Sequence, residues 1–127
     1  MKLLLDTHAF LFAISDPDQL SLKVRDLFLD PATERWLSTV SLWEIAVKVQ
    51  IGKLSMPLQK QFYAQHIHKL KAKTLAVELR HSLAMFELPM HHRDPFDRLL
   101  IAQAREDGFT LATRDEAFQA YAVETVW

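Results

Sequence analysis

The sequence predicts an α/β protein in which helices cover both faces of a central, mainly parallel sheet. Short apolar runs alternate with longer segments whose apolar residues recur at helical spacing, the pattern of a three-layer α/β/α sandwich. The chain has 127 residues, half of them hydrophobic, so we expect one domain over 1–127. Cysteine is absent, which excludes a disulfide framework and a thiolate metal site.

Local signals predict the first strand and the first two helices. Residues 2–5 form an apolar run that ends at Asp6 and is typical of a buried parallel strand. An apolar helix is predicted over 7–14. After a loop that contains Asp-Pro-Asp, Ser21 suits the N-cap of a helix that ends near residue 29. Its inward-facing candidates are Leu22, Leu27 and Phe28.

A second strand, over 36–39, leads into a helix from Ser41 to Ile51 that Gly52 ends. Two apolar stripes run along this helix at helical spacing. The first contains Leu42, Ile45, Ala46 and Val49, and the second contains Trp43, Val47 and Ile51. We expect the sheet to cover one stripe, and another helix or another subunit to cover the other.

The middle of the chain is basic. Residues 53–81 contain six Lys or Arg residues and a single acid, Glu78. Helices starting at Pro57 and Glu78 are predicted over 57–70 and 78–88, with a short strand at 74–77 between them. These cations form either a solvated helical face or a surface for an anionic partner.

The helix that follows residue 94 is marked at both ends. Asp94 suits its N-cap, Pro95 suits its first position, and Gly108 suits its end. The chain then closes with a strand, a short helix and a strand, over 110–112, 115–120 and 123–126.

Four acids fall where predicted strands meet helices: Asp6, Glu44, Asp97 and Asp115. Each has an ordinary alternative as a helix cap, a first-turn acid or a member of a capping box. The carboxyl ends of parallel strands share one edge of the sheet, so we expect these acids to converge. Carboxylates about 5 Å apart repel by roughly 3 kcal/mol for each pair. Protons or a divalent cation must offset that repulsion, and oxygen ligands without cysteine favour Mg²⁺ or Mn²⁺.

Four stretches of the sequence resemble a PIN-domain ribonuclease. They are Leu-Leu-Leu-Asp-Thr-His at 3–8, Ser-x-x-Glu at 41–44, Arg-Asp-Pro-Phe-Asp-Arg-Leu-Leu-Ile-Ala at 93–102, and Ala-Thr-Arg-Asp at 112–115. The likeness covers essentially the whole chain and is to the toxins of VapBC-type toxin–antitoxin pairs. It implies a PIN-like fold, metal-dependent endoribonuclease activity, a small cognate antitoxin and a homodimer.

Carried over residue by residue, the resemblance implies that Asp6, Glu44, Asp97 and Asp115 are catalytic and bind Mg²⁺ or Mn²⁺. Asp94 is an additional candidate, as a cap, a supporting group or a further ligand. Thr7 is another, as a partner of a carboxylate or of a metal-bound water, with an ordinary helix start as the alternative. The RNA-binding candidates, for which surface pairing is the alternative, are Arg93, Arg98 and Arg114. We expect structural roles for His8, His91 and His92, and core packing for Trp36 and Trp43.

A non-catalytic RNA- or protein-binding module is the alternative function, and it would show no dependence on metal. No apolar run approaches the roughly 20 residues of a membrane span. The apolar opening is interrupted by Asp6 and His8 before it reaches the length of a signal peptide. We therefore expect a cytoplasmic protein that binds no membrane.

Overall fold

The computed structural model describes residues 1–127 and contains a five-stranded sheet in which every neighbouring pair of strands is parallel. The strands are β1 (Lys2–Leu5), β2 (Glu34–Ser38), β3 (Lys73–Leu75), β4 (Thr110–Ala112) and β5 (Thr125–Val126). Their order across the sheet is β3-β2-β1-β4-β5, which places β1 at the centre. The predicted α/β class with a mainly parallel sheet is confirmed.

Six α-helices connect the strands. They are α1 (Thr7–Ser15), α2 (Leu22–Leu29), α3 (Thr39–Gln50), α4 (Lys60–Lys69), α5 (Leu79–Ala84) and α6 (Pro95–Asp107). Short 3₁₀ turns lie at Pro17–Gln19, Met85–Glu87 and Glu116–Ala120. No helix has the length and apolar character that crossing a bilayer would require.

The side chains of β1 alternate between two hydrophobic cores, one on each face of the sheet. Leu3 and Leu5 pack with residues of α1, α2 and α3, whereas Leu4 packs with residues of α6 and β4. All three leucines are fully buried. Because both faces of β1 are covered, a continuous apolar run marks this strand, and the three layers of the sandwich follow from it.

Several predicted helix boundaries are wrong by up to three residues. Helix α4 begins at Lys60, and the carbonyl of Pro57 instead accepts a hydrogen bond from the Tyr63 hydroxyl at 2.6 Å. The helix predicted over 78–88 is α5 followed by a 3₁₀ turn, and the one predicted over 115–120 is entirely 3₁₀. Tighter i→i+3 bonds are common where a helix is short or ends, so these differences are local.

Helix α3 begins before its predicted start. Ser38 is the N-cap, and its hydroxyl accepts a hydrogen bond from the backbone N–H of Val40 at 3.1 Å. Ser41 therefore lies inside the helix and is fully buried, so it forms no capping box with Glu44. The reason is that β2 passes into α3 without an intervening loop, which leaves the last residue of the strand to cap the helix.

The predicted start and end of helix α6 are both confirmed. The Asp94 carboxylate accepts hydrogen bonds from the backbone N–H groups of Phe96 and Asp97, at 2.8 and 3.2 Å. Pro95 is the first helical residue, and Gly108 ends the helix in the left-handed region, with φ of 72°. Both capping signals act through bonds within a few residues, which is why the sequence is sufficient to place them.

One apolar stripe of α3 is exposed in the single chain. Ile45 of the first stripe is buried, but Trp43 and Ile51 of the second are 61% and 60% exposed. Trp43 packs only edge-on against Phe96, with 5.0 Å between ring centroids. Core packing was therefore the wrong prediction for Trp43, because this face of α3 is turned away from both cores. Trp36 does pack against a core, as predicted.

The inward face of α2 differs from its prediction, and this difference can be tested. Leu22 directly follows the N-cap and is 74% exposed, whereas Val24 is fully buried. We expect Val24→Ala to lower the free energy of unfolding by about 2 kcal/mol, because it leaves a cavity. Leu22→Ala should change it by less than about 0.5 kcal/mol. Urea denaturation measures both, and equal losses would contradict the assignment.

Candidate metal centre

Acids from three elements come together beside the start of α6. Asp6 follows β1, Asp97 lies in the first turn of α6, and Asp115 caps the 3₁₀ turn after β4. One ligand atom each from Asp97, Asp115 and His92 lie within 4.8 Å of one another. Asp6 and Asp115 line the same open cleft, of about 340 Å³. The structure thus brings these predicted acids to one edge of the sheet.

Asp6 has both roles that the sequence allowed, because it caps a helix and also faces the other acids. Its carboxylate accepts a hydrogen bond from the backbone N–H of Ala9 at 2.7 Å, at the start of α1. Burial raises the pKa of Asp6, and the charge of Glu44 raises it further. Hydrogen bonds from Thr113 and Ala9 oppose this shift without cancelling it.

Glu44 is the most deeply buried of these acids, with 2% of its surface exposed. One carboxylate oxygen accepts a hydrogen bond from the Thr7 hydroxyl at 2.6 Å, and the other pairs with Lys48. The Ser41 hydroxyl oxygen lies 3.0 Å from that of Thr7. Thr7 therefore contacts a carboxylate, and Glu44 pairs with Lys48 four residues further along α3, a spacing that brings two side chains together on one face of a helix.

Lys48 places a positive charge among the acids. Burial lowers its pKa, but the hydrogen bond to Glu44 and the charges of Asp94 and Asp97 have the larger combined effect, so the pKa is raised. Lys48 therefore stays protonated at neutral pH. It offsets one of the negative charges and leaves the others to be offset by protons or a cation.

Asp97 is an acid whose pKa is raised both by burial and by the charges of several other acids. Burial, followed by the charges of Asp94 and Glu44, raises its pKa from 3.8 to about 7. Asp6 adds to this effect, and His92 opposes it. Without a metal, a proton on Asp97 offsets part of the repulsion near neutral pH, as expected for crowded carboxylates.

His92 is the residue of this site that sequence reasoning missed. Its Nε2 atom lies 3.0 Å from Asp97 Oδ2 and 3.6 Å from Asp115 Oδ2. The atom is shielded from solvent and makes no well-aligned hydrogen bond. No spacing in the sequence signals this role, because the loop before α6 carries His92 to the acids. A structural role remains the better interpretation of His91, which packs on Tyr121. The exposed His8 instead lines the same cleft as Asp6 and Asp115.

Hydrogen bonds to Tyr121 hold the loop that carries His92 in place. The hydroxyl oxygen of Tyr121 accepts hydrogen bonds from the backbone N–H groups of His91 and His92, at 3.1 and 2.8 Å. The Nδ1 atom of His92 accepts a bond from the backbone N–H of Asp94 at 3.3 Å. These contacts join the ring position of His92 to the cap of α6, and so to Asp97.

Arg98 is not available to RNA, so that prediction is wrong. Its side chain is buried, and its guanidinium donates to the carbonyls of Pro89 and Leu88 at 2.7 and 3.3 Å, and to the Tyr121 hydroxyl at 3.3 Å. Position 98 of α6 faces the loop before the helix, whose buried carbonyls need donors. Arg93 and Arg114 are exposed and stay RNA-binding predictions.

The side chains present fit a hard divalent cation. Asp6, Asp97 and Asp115 offer carboxylate oxygens, and the solvent-shielded Nε2 of His92 lacks a well-aligned partner beside them. Burial, and after it the charges of neighbouring acids, raises the pKa values of Asp6 and Asp97, so a bound cation would stabilise their ionised forms. Oxygen ligands of this kind suit Mg²⁺ or Mn²⁺.

The sequence of this chain matches a known protein family. The sequence model of the PIN domain family matches residues 3–124. Because the match spans nearly the whole chain, this chain belongs to the PIN-domain family. No curated protein sequence is significantly similar to it.

Solved structures of similar fold cover almost the full length of the chain. One is VapBC2 from Rickettsia felis bound to a promoter DNA fragment, with a TM-score of 0.75 and 18% identity over 99% of this chain and 98% of that chain. VapBC-1 from Haemophilus influenzae gives 0.72 and 16%, over 99% and 97%. DNA-bound VapBC from Salmonella typhimurium gives 0.71 and 14%, also over 99% and 97%. The PIN-like α/β/α fold is therefore confirmed.

Proposed function

We propose that this PIN-domain protein is a Mg²⁺- or Mn²⁺-dependent endoribonuclease that hydrolyses RNA phosphodiester bonds and is the toxin of a toxin–antitoxin pair. The observation that carries this proposal is the convergence of Asp97, Asp115 and His92, whose ligand atoms lie within 4.8 Å of one another, beside the cleft that Asp6 shares with Asp115. A helix start needs one cap, and Asp94 already provides it for α6. The further acids at the same point therefore call for a function beyond capping.

Asp6, Asp97 and Asp115 would hold the cation, and Glu44 completes the predicted set of ligands. When bound, a divalent cation supplies Lewis-acid activation of water and neutralises charge at the phosphate. Thr7 and Lys48 fix the orientation of Glu44 through their bonds to it. Asp94 supports the site by capping α6, and its charge acts on Asp97.

Substrate contacts come from cations beside the acids. Arg93 precedes the cap of α6, and Arg114 lies between Thr113 and Asp115 after β4. Both side chains are exposed, and a guanidinium binds phosphate oxygens through several N–H donors. A cytoplasmic location would give the protein access to RNA. All five strands share one sheet, which supports a single nuclease domain over 1–127.

The antitoxin partner would bind the cleft between α3 and α4. This cleft has a volume of about 320 Å³ and an apolar lining that includes Leu42, Ile45, Tyr63 and Ile67. In the basic segment 53–81, Lys73 and Arg80 are paired with Glu34 and Asp107, and the other four cations form no ion pair. The similar solved structures are of VapBC and other toxin–antitoxin complexes, which supports a partner of this kind.

The exposed stripe of α3 supports the predicted homodimer. Trp43 borders a second apolar cleft, of about 270 Å³, together with Met85, Phe96 and Leu99. We expect Trp43→Glu to convert a dimer into a monomer, because it places a charge in an apolar contact. Light scattering coupled to size exclusion measures the mass, and Leu22→Glu, which places the same charge at an exposed leucine of α2, is the control. A wild-type monomer at all concentrations would contradict the homodimer.

The nuclease proposal is tested by RNA cleavage with and without metal. We expect the purified protein to cleave total RNA in Mn²⁺ and excess EDTA to stop it. Asp6→Asn should lower the rate by about 100-fold or more while keeping the fold, because asparagine can still cap α1 but brings no charge. Asp26→Asn on the exposed face of α2 is the matched control.

Two outcomes would count against this function. Cleavage in excess EDTA, or full activity of Asp6→Asn, would exclude the proposed centre. Binding of RNA or of a partner protein without cleavage in any divalent metal would instead favour the non-catalytic module. Melting curves of both variants exclude unfolding as the cause of lost activity.

A further inference from the structure

The acids of the metal centre differ in whether a lysine or arginine already neutralises them. Asp6, Asp97 and Asp115 form no ion pair with any Lys or Arg side chain. Asp97 and Asp115 each place a ligand atom within 4.8 Å of the other and of His92, and Asp115 shares an open cleft with Asp6. The negative charge on this side of the centre is therefore available to a cation from solvent.

Glu44 differs from these three acids because it already has a cation. The Lys48 ammonium contacts Oε2 of its carboxylate, and the Thr7 hydroxyl donates a hydrogen bond to Oε1 at 2.6 Å. Glu44 is only 2% exposed, and the Lys48 side chain is 31% exposed. A metal ion that used Glu44 as a direct ligand would have to displace one of these two donors.

The charge of Lys48 also acts beyond Glu44. Lys48 lies one turn after Glu44 on α3, and the charges of Asp94 and Asp97 act on the same ammonium. Positive charges close together in a partly buried site repel each other more strongly than they would in water. The lysine therefore opposes a divalent cation on the α3 side of the centre, whereas the three unpaired acids favour one on the other side.

We propose that the centre binds a single divalent cation at Asp6, Asp97 and Asp115, and that the Lys48 ammonium takes the place of a second cation beside Glu44. This inference rests on the proposed function and adds to it the number of metal ions and a positioning role for Lys48. Glu44 then contributes its charge to the centre while its oxygens stay bonded to Lys48 and Thr7, which refines its predicted part as a ligand.

The number of Mn²⁺ ions bound by the wild-type chain tests the inference without a cleavage assay and without any variant. Metal-free protein is titrated with Mn²⁺, and the electron paramagnetic resonance signal of the unbound ion gives the number bound per chain. We expect a single ion. At saturation the bound ion should give the spectrum of isolated Mn²⁺, without the magnetic coupling of two ions about 3.5–4 Å apart.

Substitution of Lys48 tests its role directly. We expect Lys48→Met to bind a second Mn²⁺ ion, because methionine keeps much of the side-chain volume but frees a Glu44 oxygen and removes the repelling charge. Lys48→Arg keeps the charge and should bind one ion, as the wild type does. Lys53→Met is the matched control, since Lys53 is exposed just after α3 and forms no ion pair.

A double variant identifies the ligand of the second ion. Lys48→Met combined with Glu44→Gln should again bind a single Mn²⁺ ion, because the amide removes the freed carboxylate. Melting curves show which variants are folded before their ions are counted. A second ion that persists in the double variant would place the additional site elsewhere and overturn the role of Lys48.

The outcomes separate this inference from the proposed function. Two Mn²⁺ ions on the wild-type chain, or a single ion on folded Lys48→Met, would overturn the inference even though the nuclease function stands. If the wild-type protein binds no divalent metal and cleaves no RNA, the inference and the proposed function both fail.

Discussion

In metal-free buffer at pH 8, Asp97→Asn is expected to melt about 10 °C above the wild-type protein. Burial and the charges of Asp94 and Glu44 raise the pKa of Asp97 from 3.8 to about 7 in the folded state. The ionised side chain therefore destabilises the folded protein, by about 3 kcal/mol after allowance for its partial exposure to solvent. Asparagine removes the charge, and about 3 kcal/mol corresponds to about 10 °C for a chain of this size.

The direction of the pH dependence follows from the same shift. Between pH 3.8 and about 7, unfolded chains have lost the Asp97 proton while folded chains retain it. The free energy of unfolding therefore falls as pH rises through this range and levels off above pH 7. The raised pKa of Asp6 acts in the same direction. Asp97→Asn should show a smaller loss of stability over this range, and Asp26→Asn should lose as much as the wild type.

Binding of a metal ion should restore the stability that the folded protein loses as pH rises. We expect Mn²⁺ at pH 8 to raise the melting temperature of the wild type, because a cation bound by ionised carboxylates favours the folded state. Asp97→Asn should gain much less from Mn²⁺ and should cleave RNA about 100-fold more slowly, or worse. If this variant melts below the wild type without metal, the electrostatic account of the site is wrong.

Arg98→Met is expected to lower the melting temperature by about 10 °C, although the residue touches none of the acids. The guanidinium donates hydrogen bonds to the carbonyls of Pro89 and Leu88 and to the Tyr121 hydroxyl. Methionine fills much of the space but leaves buried acceptors without donors, a cost of about 3 kcal/mol. RNA cleavage should also fall, by about 10-fold, because the loop that positions His92 and Asp94 loosens.

Arg93→Met is the matched control for this prediction. It removes the same charge from the same segment, but Arg93 is exposed and makes no bond to the loop. Its melting temperature should equal that of the wild type, and any loss should appear in RNA binding alone. Equal melting temperatures for the two variants would contradict a structural role for Arg98.

Features set by nearby residues could be predicted from the sequence. The run Lys2–Leu5 forms a buried parallel strand as predicted, and Asp94, Pro95 and Gly108 bound α6 as their chemistry requires. Predicted helix starts were wrong where two nearby residues could both serve as the N-cap. Ser38 and Ser41 both suit an N-cap, and only the pairing of β2 with its neighbours shows that the strand ends at Ser38.

Roles that depend on contacts between distant segments could not be predicted in this way. His92 reaches Asp115 because Tyr121 holds its loop, and Arg98 is buried because that loop folds over it. Arg98 carries the same guanidinium as the exposed Arg93 and Arg114, so residue type alone does not separate their roles. The exposure of Trp43 likewise depends on which face of α3 the sheet covers.

The sequence by itself determined the alternation of strands and helices, the ends of α6 and the acids that precede helices, because each depends on hydrogen bonds and burial within a few residues. Only the tertiary structure decided which acids share a charge environment, that His92 joins them, and that Arg98 supports the loop. Electrostatic repulsion and burial depend on distance in space, and that distance is set when β1 and β4 pair side by side and carry Asp6 and Asp115 to the same edge.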